Sequence, residues 1–242
     1  MQNCFCIKFS TMLICAPIQE KTQKMALKRL SELKNKADLA EVWLDHIKDL
    51  DIKELLKKAP SPVLCVCKKP SEKGLFNGNY SQMADILIKA LEFGAKYVDL
   101  PIGMPKNLSK KCIQYCQKSN VKSQMSKVII SYHDFKKTPS ISSLLKKARD
   151  MKKRGADIVK IAVTANSIED TFSIIFLAQA IQSENIPHIL IAMGKKGILS
   201  RVITPFLGGT IMFAPLTKNQ ASASGQLTVD ELKKVWGMIK LH

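Results

Sequence analysis

Two side chains in this sequence combine a reactive group with surroundings that suit covalent chemistry. Lys160 stands inside the apolar run of "GADIVKIAVTAN", residues 155–166. Alternate residues of a strand share a face, so Ile158, Lys160 and Ala162 lie together, opposite Val159, Ile161 and Val163. Ala162 is small, which leaves room on the lysine's face. An ammonium taken out of water is expected to lose proton affinity, and a neutral amine facing a cavity forms imines with ketones and aldehydes. A lysine near a strand end whose stem carries its charge out to solvent fits the spacing as well. His133, in "KVIISYHDF", residues 127–135, follows another apolar run. Its unperturbed pKa of about 6.5 suits general acid and base work, although a histidine at such a place also serves as a turn cap. An amine that activates a carbonyl, beside an imidazole that moves the adjacent proton, would drive an elimination.

The elements that must position these groups are legible as alternating patterns. Short β-rich runs fall at 13–18, 40–44, 62–67, 97–100, 128–131, 158–163, 188–192 and 210–214. Helical patterns lie between them at 22–36, 51–58, 79–93, 105–118, 141–153, 167–184 and 195–204, and a last one starts at Thr228. Eight strands, each followed by a helix, predict a parallel sheet with right-handed crossovers. In a chain of this length the prediction is an α/β fold, a single-domain (β/α)8 TIM barrel over residues 1–242, with 1–11 as an N-terminal extension. The glycine-rich phosphate loops of open nucleotide-binding sheets are missing from the sequence. Barrel active sites lie at the C-terminal strand ends. Polar residues expected there are Glu41 and Asp45, Lys68 and Glu72, Asp99, His133 with Asp134, Lys160, and Lys195 with Arg201. The loop "TKNQASASGQ", residues 217–226, follows the last strand.

Composition narrows the function classes. With 46% apolar and 24% charged residues, the balance is that of a globular chain. No run approaches the roughly 18 uninterrupted apolar residues of a membrane span. The net charge of +18 raises a nucleic-acid partner, but 34 of the 38 basic residues are lysines and only 6% of residues are aromatic. Most of the lysines fall beside apolar residues at helical spacing, the pattern of solvated helix faces, and arginine forks with stacked aromatics are lacking. A basic field of this kind still helps to collect a small anionic substrate. The seven cysteines are odd in number and form no disulfide framework, which fits reduced thiols and a cytoplasmic protein. Cys112 and Cys116 share a helical face but lack the further ligands of a zinc site.

Taken in order, "AEVWLD", "KKPSEKG", "YVDL", "VIISYHDFKKTP", "DIVKIAV", "GILSR" and "ASASGQ" resemble the type I 3-dehydroquinate dehydratases, the Schiff-base enzymes of the shikimate pathway. The resemblance spans about Met12 to Trp236. It implies that Lys160 forms an imine with the C3 ketone of 3-dehydroquinate. It further implies that His133 takes a C2 proton and helps the C1 hydroxyl leave as water, giving 3-dehydroshikimate with no metal and no soluble cofactor. By the same resemblance Glu72 orients His133, Arg201 binds the substrate carboxylate, and Ser222 and Gln226 close over that end of the ring. Glu41 accepts hydrogen bonds from the remaining hydroxyls, and Asp99 matches the family's strand-4 acid. Two positions depart from the pattern: Trp43 and Lys68 stand where the family carries arginines. If Lys68 reaches the ring, Lys68→Arg is expected to tighten binding. A homodimer is implied by analogy. The rival expectations are an imine-forming lyase or aldolase acting on a related ring or sugar acid, and a non-catalytic basic barrel that binds nucleic acid.

Overall fold

The computed structural model describes residues 12–118 and 126–239. Strands and helices alternate along them: β1 (Leu13–Ile18), α1 (Gln23–Leu33), β2 (Leu39–Trp43), α2 (Ile52–Lys58), β3 (Val63–Val66), α3 (Tyr80–Glu92), β4 (Tyr97–Pro101) and α4 (Lys106–Lys118). The series continues with β5 (Lys127–Asp134), α5 (Ile141–Lys153), β6 (Ile158–Thr164), α6 (Ile168–Ser183), β7 (His188–Met193), α7 (Ile198–Ile203), β8 (Ile211–Phe213) and α8 (Val229–Ile239). The strands pair in parallel in the order β7-β6-β5-β4-β3-β2-β1-β8. The two ends of this sheet meet at a bridge between His188 and Gly209, where the Thr210 backbone N–H and hydroxyl both donate to the His188 carbonyl. The sheet is therefore nearly closed on itself, the (β/α)8 barrel that the alternation predicts. The expected extension at 1–11, with Cys4 and Cys6, lies outside the described residues.

Strands covered by helices on one side and filled by side chains on the other have no wet face, so they read as continuous apolar runs. β3 and β7 are buried along their whole length. Helix starts follow from side chains that satisfy free N–H groups: Asp51, Asn79, Ser140 and Ser167 each cap a helix, and Asn79 and Ser167 form reciprocal capping boxes. Gly155, at φ +99°, makes the left-handed return from α5 that feeds the lysine-bearing strand β6.

Most boundaries shift by a residue or more from the sequence reading, and three of the shifts bear on the site. β5 extends to Asp134 because His133 and Asp134 still pair with Ala162 and Val163 of β6, so His133 lies on the strand rather than beyond it. β3 ends at Val66, which leaves Lys68 past the strand end. The helical run after β7 is broken into a 3-10 turn at Lys195–Gly197, α7, and a second 3-10 turn at Thr204–Leu207 that begins with Pro205 in its first turn.

Candidate active site

A cleft enclosing about 570 Å³ opens at the C-terminal ends of the strands. Its walls include Glu41 and Trp43 of β2, Lys68 and Glu72 after β3, and His133 and Phe135 at the end of β5. The rest of the lining comes from Lys160 and Ala162 of β6, Met193, Arg201 of α7, Phe213 of β8, and Ser222 and Gln226 of the loop after β8. Asp99 of β4 lies in the floor, fully buried and bonded to both lysines. Ten residues singled out from the sequence thus converge on one place. Asp45 is turned away: its carboxylate accepts the Lys68 and Leu75 backbone N–H groups and shapes the loop after β3. Lys195 is absent from the cleft lining.

Lys160 is 5% exposed, so its charge does not reach solvent along its stem. Its Nζ donates to Glu41 Oε1 and to Asp99 Oδ2, both at 3.2 Å, and lies 4.3 Å from the centre of the Phe213 ring. Here the expectation of a depressed pKa is overturned. Burial does push the ammonium down, but the two carboxylates outweigh it and hold Lys160 above the usual lysine range. In the resting protein this residue is a clamped cation. Glu41 takes a second bond at Oε2 from the Trp43 indole N–H at 3.0 Å. Asp99 is penalised by burial, yet Lys68 and Lys160 together keep it below the ordinary carboxylate range.

Lys68 is 2% exposed and belongs to the same network. Its Nζ donates to Asp99 Oδ1 and Ser131 Oγ, both at 2.9 Å, and stands 3.6 Å from Glu72 Oε1. Ser131 donates in turn to Asp99. Glu72 Oε1 lies 3.0 Å from His133 Nδ1. With Nδ1–H donated to that carboxylate, Nε2 is the ring atom left to take a proton. Burial lowers the His133 pKa; Glu72 opposes the shift, and Lys68 and Lys160 reinforce it. At neutral pH the imidazole is a free base. The ring stacks on Phe135 at 5.8 Å, over which Lys73 places its ammonium.

Arg201 is 1% exposed, and its Nε and Nη1 have no acceptor among the described residues. Its Nη2 makes a long 3.5 Å contact to the Ser224 carbonyl. Burial alone pushes its pKa down to about 10. A buried guanidinium left open in this way is shaped for a planar anion. Beside it the Gln226 side chain accepts from the Ser222 and Ala223 N–H groups and donates to the Ser222 hydroxyl, folding the loop into a compact flap.

The sequence reading missed Ser131, Phe135 and Phe213. Phe213 follows from alternation along the last strand. Ser131 does not, because its role depends on Asp99 and Lys68, which lie 32 and 63 positions away in the chain. Among the described residues no cluster of three or more His, Cys, Asp or Glu side chains is arranged to hold a metal ion, and no helix is long and apolar enough to cross a membrane.

Comparison with known proteins bears on the same cleft. Residues 14–242 match the family model of type I 3-dehydroquinase. The 3-dehydroquinate dehydratase of Methanocaldococcus jannaschii is 33% identical over 229 residues, which cover 95% of this chain and all of that one. A bifunctional chloroplastic 3-dehydroquinate dehydratase/shikimate dehydrogenase of Arabidopsis thaliana is 32% identical over 234 residues, 95% of this chain but only 37% of the larger protein. A crystal structure of the type I enzyme of Clostridium difficile, carrying covalently modified comenic acid, superposes with a TM-score of 0.85 at 25% identity, covering 95% of this chain and 92% of the other. Sequence and barrel agree with these proteins over nearly the whole length, and the chain belongs to the type I 3-dehydroquinase family.

Proposed function

We propose that the cleft dehydrates 3-dehydroquinate to 3-dehydroshikimate through an imine on Lys160, with no metal or soluble cofactor. The observation that carries this reading is a buried lysine clamped by two carboxylates, in one cleft with a neutral imidazole–carboxylate pair and an arginine whose Nε and Nη1 have no acceptor among the described residues. Arg201 receives the substrate carboxylate, which sets the ring's orientation over Lys160. Asp99 is already donated to by Lys68 and Ser131, whereas among the described residues Glu41 accepts from Trp43 alone besides Lys160. Glu41 is therefore the better acceptor for the ammonium proton. The freed amine adds to the C3 carbonyl and water departs, leaving a protonated imine whose charge sits between Glu41 and Asp99. That cation withdraws electrons and acidifies C2. His133 takes the C2 proton at Nε2, with Glu72 stabilising the imidazolium, and returns it to the C1 hydroxyl as that group leaves as water. Hydrolysis of the imine frees the product.

The same reading takes the chain as a cytoplasmic homodimer. The free, buried Cys15, Cys65, Cys67 and Cys112 suit a reducing compartment. The test of the chemistry is reduction by borohydride in the presence of 3-dehydroquinate. Mass spectrometry should place the adduct on Lys160, and the conjugated product should absorb in the ultraviolet. Lys160→Ala should abolish both, whereas His133→Ala should still form some adduct. Absence of adduct and of turnover in the unmodified protein would reject the reading.

A further inference from the structure

The buried charges of the cleft do not form separate pairs. They run as one alternating series, Glu41, Lys160, Asp99, Lys68, Glu72, His133, with successive contacts of 3.2, 3.2, 2.9, 3.6 and 3.0 Å. Lys68 is the joint. Its neighbours are Asp99, which holds the amine, Ser131, and Glu72, which holds the imidazole. An ammonium has three donors, and here two are bonded to protein and the third is faced by a carboxylate. At 2% exposure its head has little left to offer a ligand.

We propose that Lys68 is a positioning residue that couples Lys160 to His133, rather than a binder of the substrate's ring. The coupling acts through both carboxylates. With the Lys68 charge present, Asp99 divides its attraction between two cations, which loosens its hold on Lys160 and eases release of that proton. The same charge draws on Glu72 and stands close to His133, which keeps the imidazole unprotonated and ready as a base. Removing it tightens Asp99 on Lys160 and frees Glu72 to favour the imidazolium, so both groups shift toward their protonated, idle forms. The charged groups that face the imidazole are Glu72 and Lys68 after β3, Asp99 on β4 and Lys160 on β6, with Lys73 beyond Phe135. Lys68 is among those that oppose its protonation.

The inference rests on the dehydratase reading for its kinetics, but its central measurement does not. The imidazole of His133 is titrated by nuclear magnetic resonance in the intact, substrate-free chain, its signal identified among the four histidines by loss in His133→Asn. In Lys68→Met the midpoint should rise by about one pH unit, and Lys68→Arg should restore it to within about a third of that. With 3-dehydroquinate, kcat of Lys68→Met should fall about tenfold or more while KM stays within about threefold, and the acid limb of kcat/KM should rise with the His133 midpoint. Should Lys68→Met fail to fold, Lys68→Gln, which still donates to Asp99, carries the same expectations. An unmoved midpoint in a folded variant overturns the proposal. So does a tenfold rise in KM at unchanged kcat, which would make Lys68 a substrate contact. If the unmodified protein does not turn over 3-dehydroquinate, the dehydratase reading falls while the titration still decides the coupling.

Discussion

At Arg201 a positive charge is held in the barrel mouth with two nitrogens that face no acceptor among the described residues. A buried, unpaired cation destabilises the fold that contains it, and burial is the whole cause of its lowered proton affinity. Its retention therefore answers to a ligand. Arg201→Met keeps the stem's packing and removes the charge, so it should stabilise the protein by about 1–2 kcal/mol and raise Tm by about 2–4 °C for each kcal/mol. The same change should raise KM for 3-dehydroquinate about 10- to 100-fold, the value of a lost charge-assisted fork. Thermal melts and steady-state kinetics on one preparation check both arms, and an arginine important to the fold would lower Tm instead. Residue by residue, the anomaly of Lys160 was legible because alternation placed a cation among apolar neighbours. Its proton affinity was not, since the partners that reverse the effect of burial lie 119 and 61 positions away in the chain. Lys68 shows the same limit. The resemblance marked its position, but only the fold reveals that Asp99 and Ser131 occupy its head.

At the scale of elements, the loop after β8 shows how a connecting segment is tied to the barrel. The Gly194 N–H at the end of β7 donates to the Ser224 carbonyl at 3.1 Å. Gly225 adopts φ +79°, and a Cβ there would stand 2.2 Å from the Gly194 carbonyl oxygen. Only glycine lets the loop lie this close, so Gly225→Ala should push the flap bearing Ser222 and Gln226 off the cleft. KM should rise about tenfold, while Tm moves by no more than a few degrees because the barrel ladders are untouched. Limited proteolysis within 217–226, set beside the kinetics, separates this from general destabilisation: cleavage there should accelerate before any in the barrel. The centres of the strands were readable because each is a short apolar run between turn signals. Their ends were not, because pairing across the sheet decides them, as where β6 carries β5 on to Asp134. The resemblance marked Ser222 and Gln226 as closing residues, but the docking of their loop on Gly194 depends on a backbone contact that no residue pattern announces.

For the molecule as a whole, a net charge of +18 makes any two copies repel, and the lysines on the outer helices set where they could approach. Among the eight described helices, α6 alone carries neither lysine nor arginine. It is also apolar beyond its buried face. Ile174, Leu177, Ala178 and Ile181 pack inward, while Ile168, Phe172 and Phe176 remain 44, 43 and 57% exposed at successive four-residue steps. A helix apolar on both faces belongs in an interior, and a second copy of the same chain would supply the missing side. Meeting at α6 keeps the lysine-rich faces apart, which is the arrangement least opposed by their charge. The protein should therefore sediment as a dimer, and Phe172→Lys with Phe176→Lys should give a monomer that keeps the barrel's Tm to within a few degrees. Added salt should strengthen the unmodified dimer, since screening over a Debye length of about 8 Å removes the long-range repulsion while leaving apolar contact intact. A monomer at every salt concentration, or a dimer that survives both lysines, would place the contact elsewhere or nowhere on α6.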